Sequence, residues 1–84
     1  SSQKIEDQPV VIQLALDADG RYFLDGAPAH RSDLEAHFAA TAARNPELHL
    51  RADRGTRYEN VADILAAAQT AGINRIAFVT EGRK

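Results

Sequence analysis

The chain contains no cysteine, which removes both a disulfide framework and any thiolate metal site and leaves the redox compartment open between cytoplasm and periplasm. It contains no run of about 18 apolar residues, so nothing in it spans a bilayer as a helix, and its first residues lack the basic-then-apolar layout of a signal peptide. It has no charge surplus. Ten Lys and Arg stand against twelve Asp and Glu, a formal net charge of -2, and so even a balance gives no electrostatic case for nucleic acid or anionic lipid. Nor has it length to spare: 84 residues make one small domain. Such a domain buries roughly 60% of its unfolded surface and has no room for a large catalytic cleft with its scaffold. Internal repeats and low-complexity tracts are absent as well. What is present is an apolar fraction of 44%, enough for a globular chain, and an ordered series of strand and helix signals.

The clearest order lies between Leu48 and Thr80. Leu48-His49-Leu50-Arg51-Ala52 alternates with period two, predicting a strand with Leu48, Leu50 and Ala52 inward and His49 and Arg51 on a wet face. The run breaks at Asp53-Arg54-Gly55. Thr56-Arg57-Tyr58-Glu59 then has the spacing of a capping box, predicting a helix that starts near Arg57. Val61, Ile64, Leu65 and Ala68 recur at intervals of three and four, one stripe facing a sheet, and Gly72 supplies the positive φ that the common C-terminal cap needs. After Ile73-Asn74, the run Ile76-Ala77-Phe78-Val79 is apolar and strand-prone. Two strands joined through one helix are parallel neighbours by a right-handed crossover.

Earlier in the chain, residues 1–9 are polar and end in Pro9, the composition of a linker or tail. Val10, Ile12, Leu14 and Leu16 alternate with Val11, Gln13 and Ala15 as a strand. Asp17-Ala18-Asp19-Gly20 turns it back into Arg21-Tyr22-Phe23-Leu24, and Asp25-Gly26 suits a type I′ turn into a short segment, Ala27 to His30, that Pro28 restricts to an edge. Ser32-Asp33-Leu34-Glu35 reads as a second capping box, starting a helix with Leu34, Phe38 and Ala42 inward that ends at Asn45-Pro46. The expected fold is α+β: a two-layer sandwich with two helices on one face of a mixed sheet of four to five strands, over residues 10–82. Leu34, Phe38, Leu50, Val61, Ile64 and Leu65 are the expected core.

Arg51-Ala52-Asp53, Tyr58 opening a helix, Ala71-Gly72 closing it and Ile76-Ala77-Phe78-Val79-Thr80, in this order and spacing, resemble the soluble domain of the ExbD/TolR family of membrane energy transducers. The likeness reaches back over Val10 to Phe38. It implies a non-enzymatic periplasmic interaction domain, carried in the family behind one N-terminal transmembrane helix whose Asp carries protons. Asp53 is not that residue. The implied partners are a TonB-like protein, an ExbB-like membrane protein reached through that helix, and a second copy in a homodimer. The TolR-like alternative is a subunit of an envelope system that touches peptidoglycan. A small α/β RNA-binding domain is the alternative from another class, opposed by the absent basic surplus and by Tyr22 and Phe23 falling on opposite faces.

Four sets of residues are candidates for function. His30, His37 and His49 have no paired spacing for a metal, and Ser32, Asp33 and His37 lie on one element where a triad needs convergence from several. The residues call for no catalysis, metal or cofactor. Arg51, Arg54 and Arg57 surround Asp53 at a strand-to-helix junction where free N–H groups favour an anion. They are the candidate contact for an acidic partner or peptidoglycan, against the plainer reading of a solvated turn. Arg75, Ile76, Ala77, Phe78, Val79 and Thr80, with Val10, Val11 and Ile12, are the candidate partner-binding strands, where an extended segment would join an open sheet edge. The plainer reading is that a second subunit covers the last strand.

Overall fold

The structure, a computed structural model, describes residues 9–79. The expected tail, Pro9 apart, lies outside the described residues, as do Thr80 and the expected end of the domain at residue 82. Alternation and turn chemistry place β1 at Val11–Leu16, β2 at Tyr22–Leu24 and β3 at Ala27–Ala29. Helix α1 runs over Arg31–Thr41 and tightens into a 3-10 turn at Ala42–Arg44, then come β4 at Glu47–Ala52, α2 at Tyr58–Thr70 and β5 at Arg75–Val79. The sheet has the order β3-β2-β1-β4-β5. The hairpin strands β1, β2 and β3 are antiparallel, whereas β1, β4 and β5 are parallel. This is the expected α+β arrangement, two helices and a mixed five-stranded sheet.

Local chemistry explains most boundaries. Asp25 and Gly26 both have positive φ, 51° and 89°, as a type I′ turn requires. Beyond α2, the N–H of Ile73 bonds the carbonyl of Ala68 and the N–H of Gly72 that of Gln69, both at 3.0 Å, with Gly72 at φ 100°. This is a Schellman cap, and its companion apolar contact is provided by Ile73 and Ala68, both fully buried. The segment Ile73-Asn74 is therefore more than a turn, since Ile73 is core.

Both helix starts differ from the capping boxes expected. His30, not Ser32, is the N-cap of α1. The Asp33 carboxylate accepts the His30 N–H at 2.9 Å, while Glu35 is drawn to Arg31, 3.1 Å from Nε. At α2 the N-cap is Arg57 without a side-chain cap. The Thr56 hydroxyl donates instead to the carbonyls of Leu16 (3.1 Å) and Asp17 (3.3 Å), and Glu59 pairs with Arg57 at 3.0 Å.

The core lies between the helices and one sheet face. Ile12, Leu14 and Leu16 of β1, Leu48 and Leu50 of β4, Leu34 and Phe38 of α1, and Ile64 and Ala68 of α2 are buried. Val61 and Leu65 are only half-buried beside them, so the α2 stripe centres on Ile64 and Ala68. Arg31 ties the helices at the surface through an ion pair to Asp63 of α2. Burial opposes the Arg31 charge, but the hydrogen bond and charge of Asp63, with Glu35, outweigh it and raise its pKa above the ordinary guanidinium value.

Candidate functional site

Strand order decides which backbone is free. The edges are β3, three residues long with Pro28 at its centre, and β5. A short proline edge is a poor template for another strand, whereas β5 presents five residues with no sheet neighbour beyond it among the described residues. β1 is internal, with β4 along its whole length. Its β2 flank is paired from Leu14 onward, and the turn residue Asp25 donates its N–H to the Gln13 carbonyl at 2.7 Å. Of the first candidate residues, Ile12 is buried in the core, while Val11 faces outward and is 36% exposed.

On β5 the faces separate cleanly. Ile76 and Phe78 register with Leu48 and Leu50 and so share the helix side, yet Phe78 is 59% exposed because, among the described residues, no strand or helix flanks it at the edge. Ala77 and Val79 are half-buried on the other face. Tyr58, 83% exposed, opens α2, which starts beyond the C-terminal end of β4 and leads back to the start of β5. Tyr58 and Phe78 thus belong to the same end of the sheet.

Among the described residues the second face carries no helix, and its side chains line up in rows that only the register reveals. One row crosses all five strands: Pro28, Phe23, Ala15, Arg51 and Val79. The next contains Gln13, His49 and Ala77, and the third Val11, Glu47 and Arg75. Ala15 lines a shallow groove together with Gln13, Phe23, His49, Arg51 and Val79. His49 Nε2 lies 3.3 Å from the Glu47 carboxylate, which leaves the neighbouring Arg75 to donate to the Asn45 carbonyl at 3.3 Å.

The three junction arginines go separate ways. Arg51 enters the groove, Arg54 stays on the exposed loop and Arg57 is held by Glu59. Among the described residues, neither Arg51 nor Arg54 has an ion pair. Asp53 is occupied locally, its carboxylate accepting the Gly55 N–H at 3.0 Å and its N–H reaching Leu16 at 2.9 Å, which is turn chemistry. Asp17 organises the other loop: the Arg21 N–H, opposed by desolvation but joined by the Asp19 N–H and the Arg21 guanidinium, holds its carboxyl below the ordinary carboxylate value. Among the described residues, no three His, Asp or Glu side chains come together to hold a metal ion. Ser32, Asp33 and His37 remain on one helix, with Asp33 engaged by His30.

Comparison with known proteins bears on this arrangement directly. The family model described as "Biopolymer transport protein ExbD/TolR" matches residues 1–82. The chain belongs to the ExbD/TolR family. It is 32% identical over 77 residues to the biopolymer transport protein ExbD of Pseudomonas aeruginosa, covering 89% of this chain and 56% of the relative. ExbD of Neisseria meningitidis serogroup B is 33% identical over 75 residues, covering 83% and 52%. Biopolymer transport protein exbD1 of Xanthomonas campestris pv. campestris is 30% identical over 81 residues, covering 94% and 58%. The chain therefore spans a little over half the length of these ExbD relatives. Family membership and fold agree with the residues Arg51 to Thr80 that carried the resemblance. The apolar run Ile76 to Val79 gave the strand, but the exposure of Phe78 and the row joining Phe23 to Arg51 depend on strand order and register, which no local signal encodes.

Proposed function

We propose that this domain is the periplasmic interaction module of an ExbD-like subunit in a proton-motive-force-driven complex of the TonB-ExbB-ExbD type, supporting transport across the outer membrane. The observation that carries the reading is the free β5 edge with Phe78 exposed beside it, in a domain of a biopolymer-transport family. No helix among the described residues is long and apolar enough to cross a membrane. On this reading the inner-membrane anchor and the contact with an ExbB-like protein belong to the part of the family's length that the chain does not span.

The domain works by pairing. An extended periplasmic segment of a TonB-like protein adds to β5, main-chain hydrogen bonds supplying affinity and alternate side chains supplying selectivity. In a homodimer the same edge of each copy is covered when the partner is absent, which removes an aggregation liability. The test is titration of the labelled chain with a periplasmic segment of its cognate TonB-like protein. Shifts concentrated in Arg75 to Val79, and at Thr80, are expected. Shifts confined to Arg51, Arg54 and Arg57 overturn the edge reading.

Arg51, lying in a groove with Phe23, Gln13 and His49, favours a second reading, a TolR-like domain that contacts peptidoglycan through the open face. Binding to peptidoglycan fragments without binding to the TonB-like segment is the outcome that selects it.

A further inference from the structure

Resting on the β5 edge as the docking strand, we infer that its partner segment is acidic and apolar in alternation, with two carboxylates four residues apart on one face and apolar side chains between them on the other. The argument is charge and shape along the edge. Arg75 begins β5 on the open face and is exposed. Its register neighbour Glu47 is turned to His49, and among the described residues its guanidinium has only a carbonyl partner, that of Asn45. At the other end of the same face, Val79 registers with Arg51, which has no ion pair among the described residues.

Spacing turns these two cations into a pattern. Residues 75 and 79 are separated by about 13 Å along the strand at roughly 3.3 Å per residue, so two carboxylates at positions i and i+4 of an added strand meet both ends. A carboxylate beside Arg75 pairs directly across the new ladder. A carboxylate beside Val79 approaches Arg51 over one intervening strand, about 10 Å between backbones. An Arg and a Glu side chain together span that gap, and the groove that holds Arg51 is walled at the β5 side by Val79, which is short enough to pass over. On the opposite face, residues i+1 and i+3 of the added strand lie beside Ile76 and Phe78. Phe78, 59% exposed, gains apolar cover there. The code is therefore acidic, apolar, any, apolar, acidic.

Two capped synthetic peptides test it, one containing Glu-Val-Thr-Val-Glu and one Lys-Val-Thr-Val-Lys, each titrated against the full chain at low and at physiological salt with amide shifts read throughout. The acidic peptide is expected to bind about 3- to 10-fold more tightly, the yield of two exposed ion pairs, with the difference narrowing as salt rises. In the R51E/R75E double variant the preference inverts, and in R51Q/R75Q it disappears. Both positions are exposed, so an unchanged circular dichroism spectrum accompanies these changes. Equal binding of both peptides, with shifts on β5, overturns the charge code and leaves the edge reading standing. No β5 shifts with either peptide overturn both.

Discussion

The Thr56 hydroxyl donates to the Leu16 carbonyl at 3.1 Å, 40 residues earlier in the chain. This bond, with the N–H of Asp53 reaching the same carbonyl at 2.9 Å, clamps the β4–α2 loop onto the end of β1, where the side chain was expected to cap its own helix. A tertiary acceptor has displaced a local one. The geometry expects Thr56→Val to lower unfolding free energy by about 1 kcal/mol, the usual net value of one such hydrogen bond. Glu59→Ala, which a true capping box would make equally costly, is expected to stay within about 0.5 kcal/mol. Paired denaturant titrations distinguish the two.

Burial ranks the α2 stripe. Ile64 is fully buried, whereas Leu65 is half-buried. Ile64→Ala is expected to cost about 2–5 kcal/mol, the range for truncating a buried aliphatic side chain, and Leu65→Ala distinctly less. In a domain whose whole stability is about 5–15 kcal/mol, the first change alone unfolds a measurable fraction. Equal midpoint losses for the two variants would show the helix turned from its observed register.

Acid tests the Asp17 loop. Because the folded carboxyl titrates below its ordinary value of 3.8, the ionised form stabilises the fold above that value. The contribution fades as pH falls through the depressed folded value. Asp17→Asn is thus less stable than wild type at neutral pH, and the two stability curves converge below about pH 4. A difference that stays constant down to pH 2 contradicts the assignment.

At Gly26, φ is 89° and an added Cβ meets nothing within 4 Å, so the cost of Gly26→Ala is backbone strain alone, about 1–2 kcal/mol. Asp25→Ala removes a second function as well, since the Asp25 carboxylate accepts the Gln13 N–H at 3.3 Å. Thermal denaturation of both single variants checks the pair.

Phe78→Ser separates folding from binding. A side chain 59% exposed on an edge strand contributes little to the core, so the expected change in stability is within about 0.5 kcal/mol. Affinity for an extended partner segment is expected to fall severalfold. A large loss of stability with unchanged binding would place Phe78 in the fold's interior account rather than at its docking edge.

What the sequence carried was periodic and local. The alternation of Val10 to Leu16 and of Leu48 to Ala52 fixed their faces, and Asp25-Gly26 and Gly72 adopt the positive φ their turns required. The helix starts were illegible for a physical reason: Asp33 satisfied the N–H of His30 before Ser32 was reached, and Thr56 found an acceptor on a distant strand. The open-face row was hidden likewise. Phe23, Ala15, Arg51 and Val79 come from four separate segments, and only the order of strands makes them neighbours.

The parallel direction of β1, β4 and β5 has a mechanical consequence. Residue 10 and residue 79 stand towards opposite ends of the sheet: Val79 is level with Ala15, so the two are separated along the strand axis by about 17 Å at roughly 3.3 Å per residue. A tension applied at the start of β1 and resisted by a segment seated on β5 then runs lengthwise through the ladders. The hydrogen bonds lie across that line and are loaded in shear, all sharing the force, whereas a pull from one end would open them singly. On the proposed docking, rupture forces measured by pulling the seated segment from either of its ends are expected to differ accordingly, with the larger force for the pull that loads the ladder in shear.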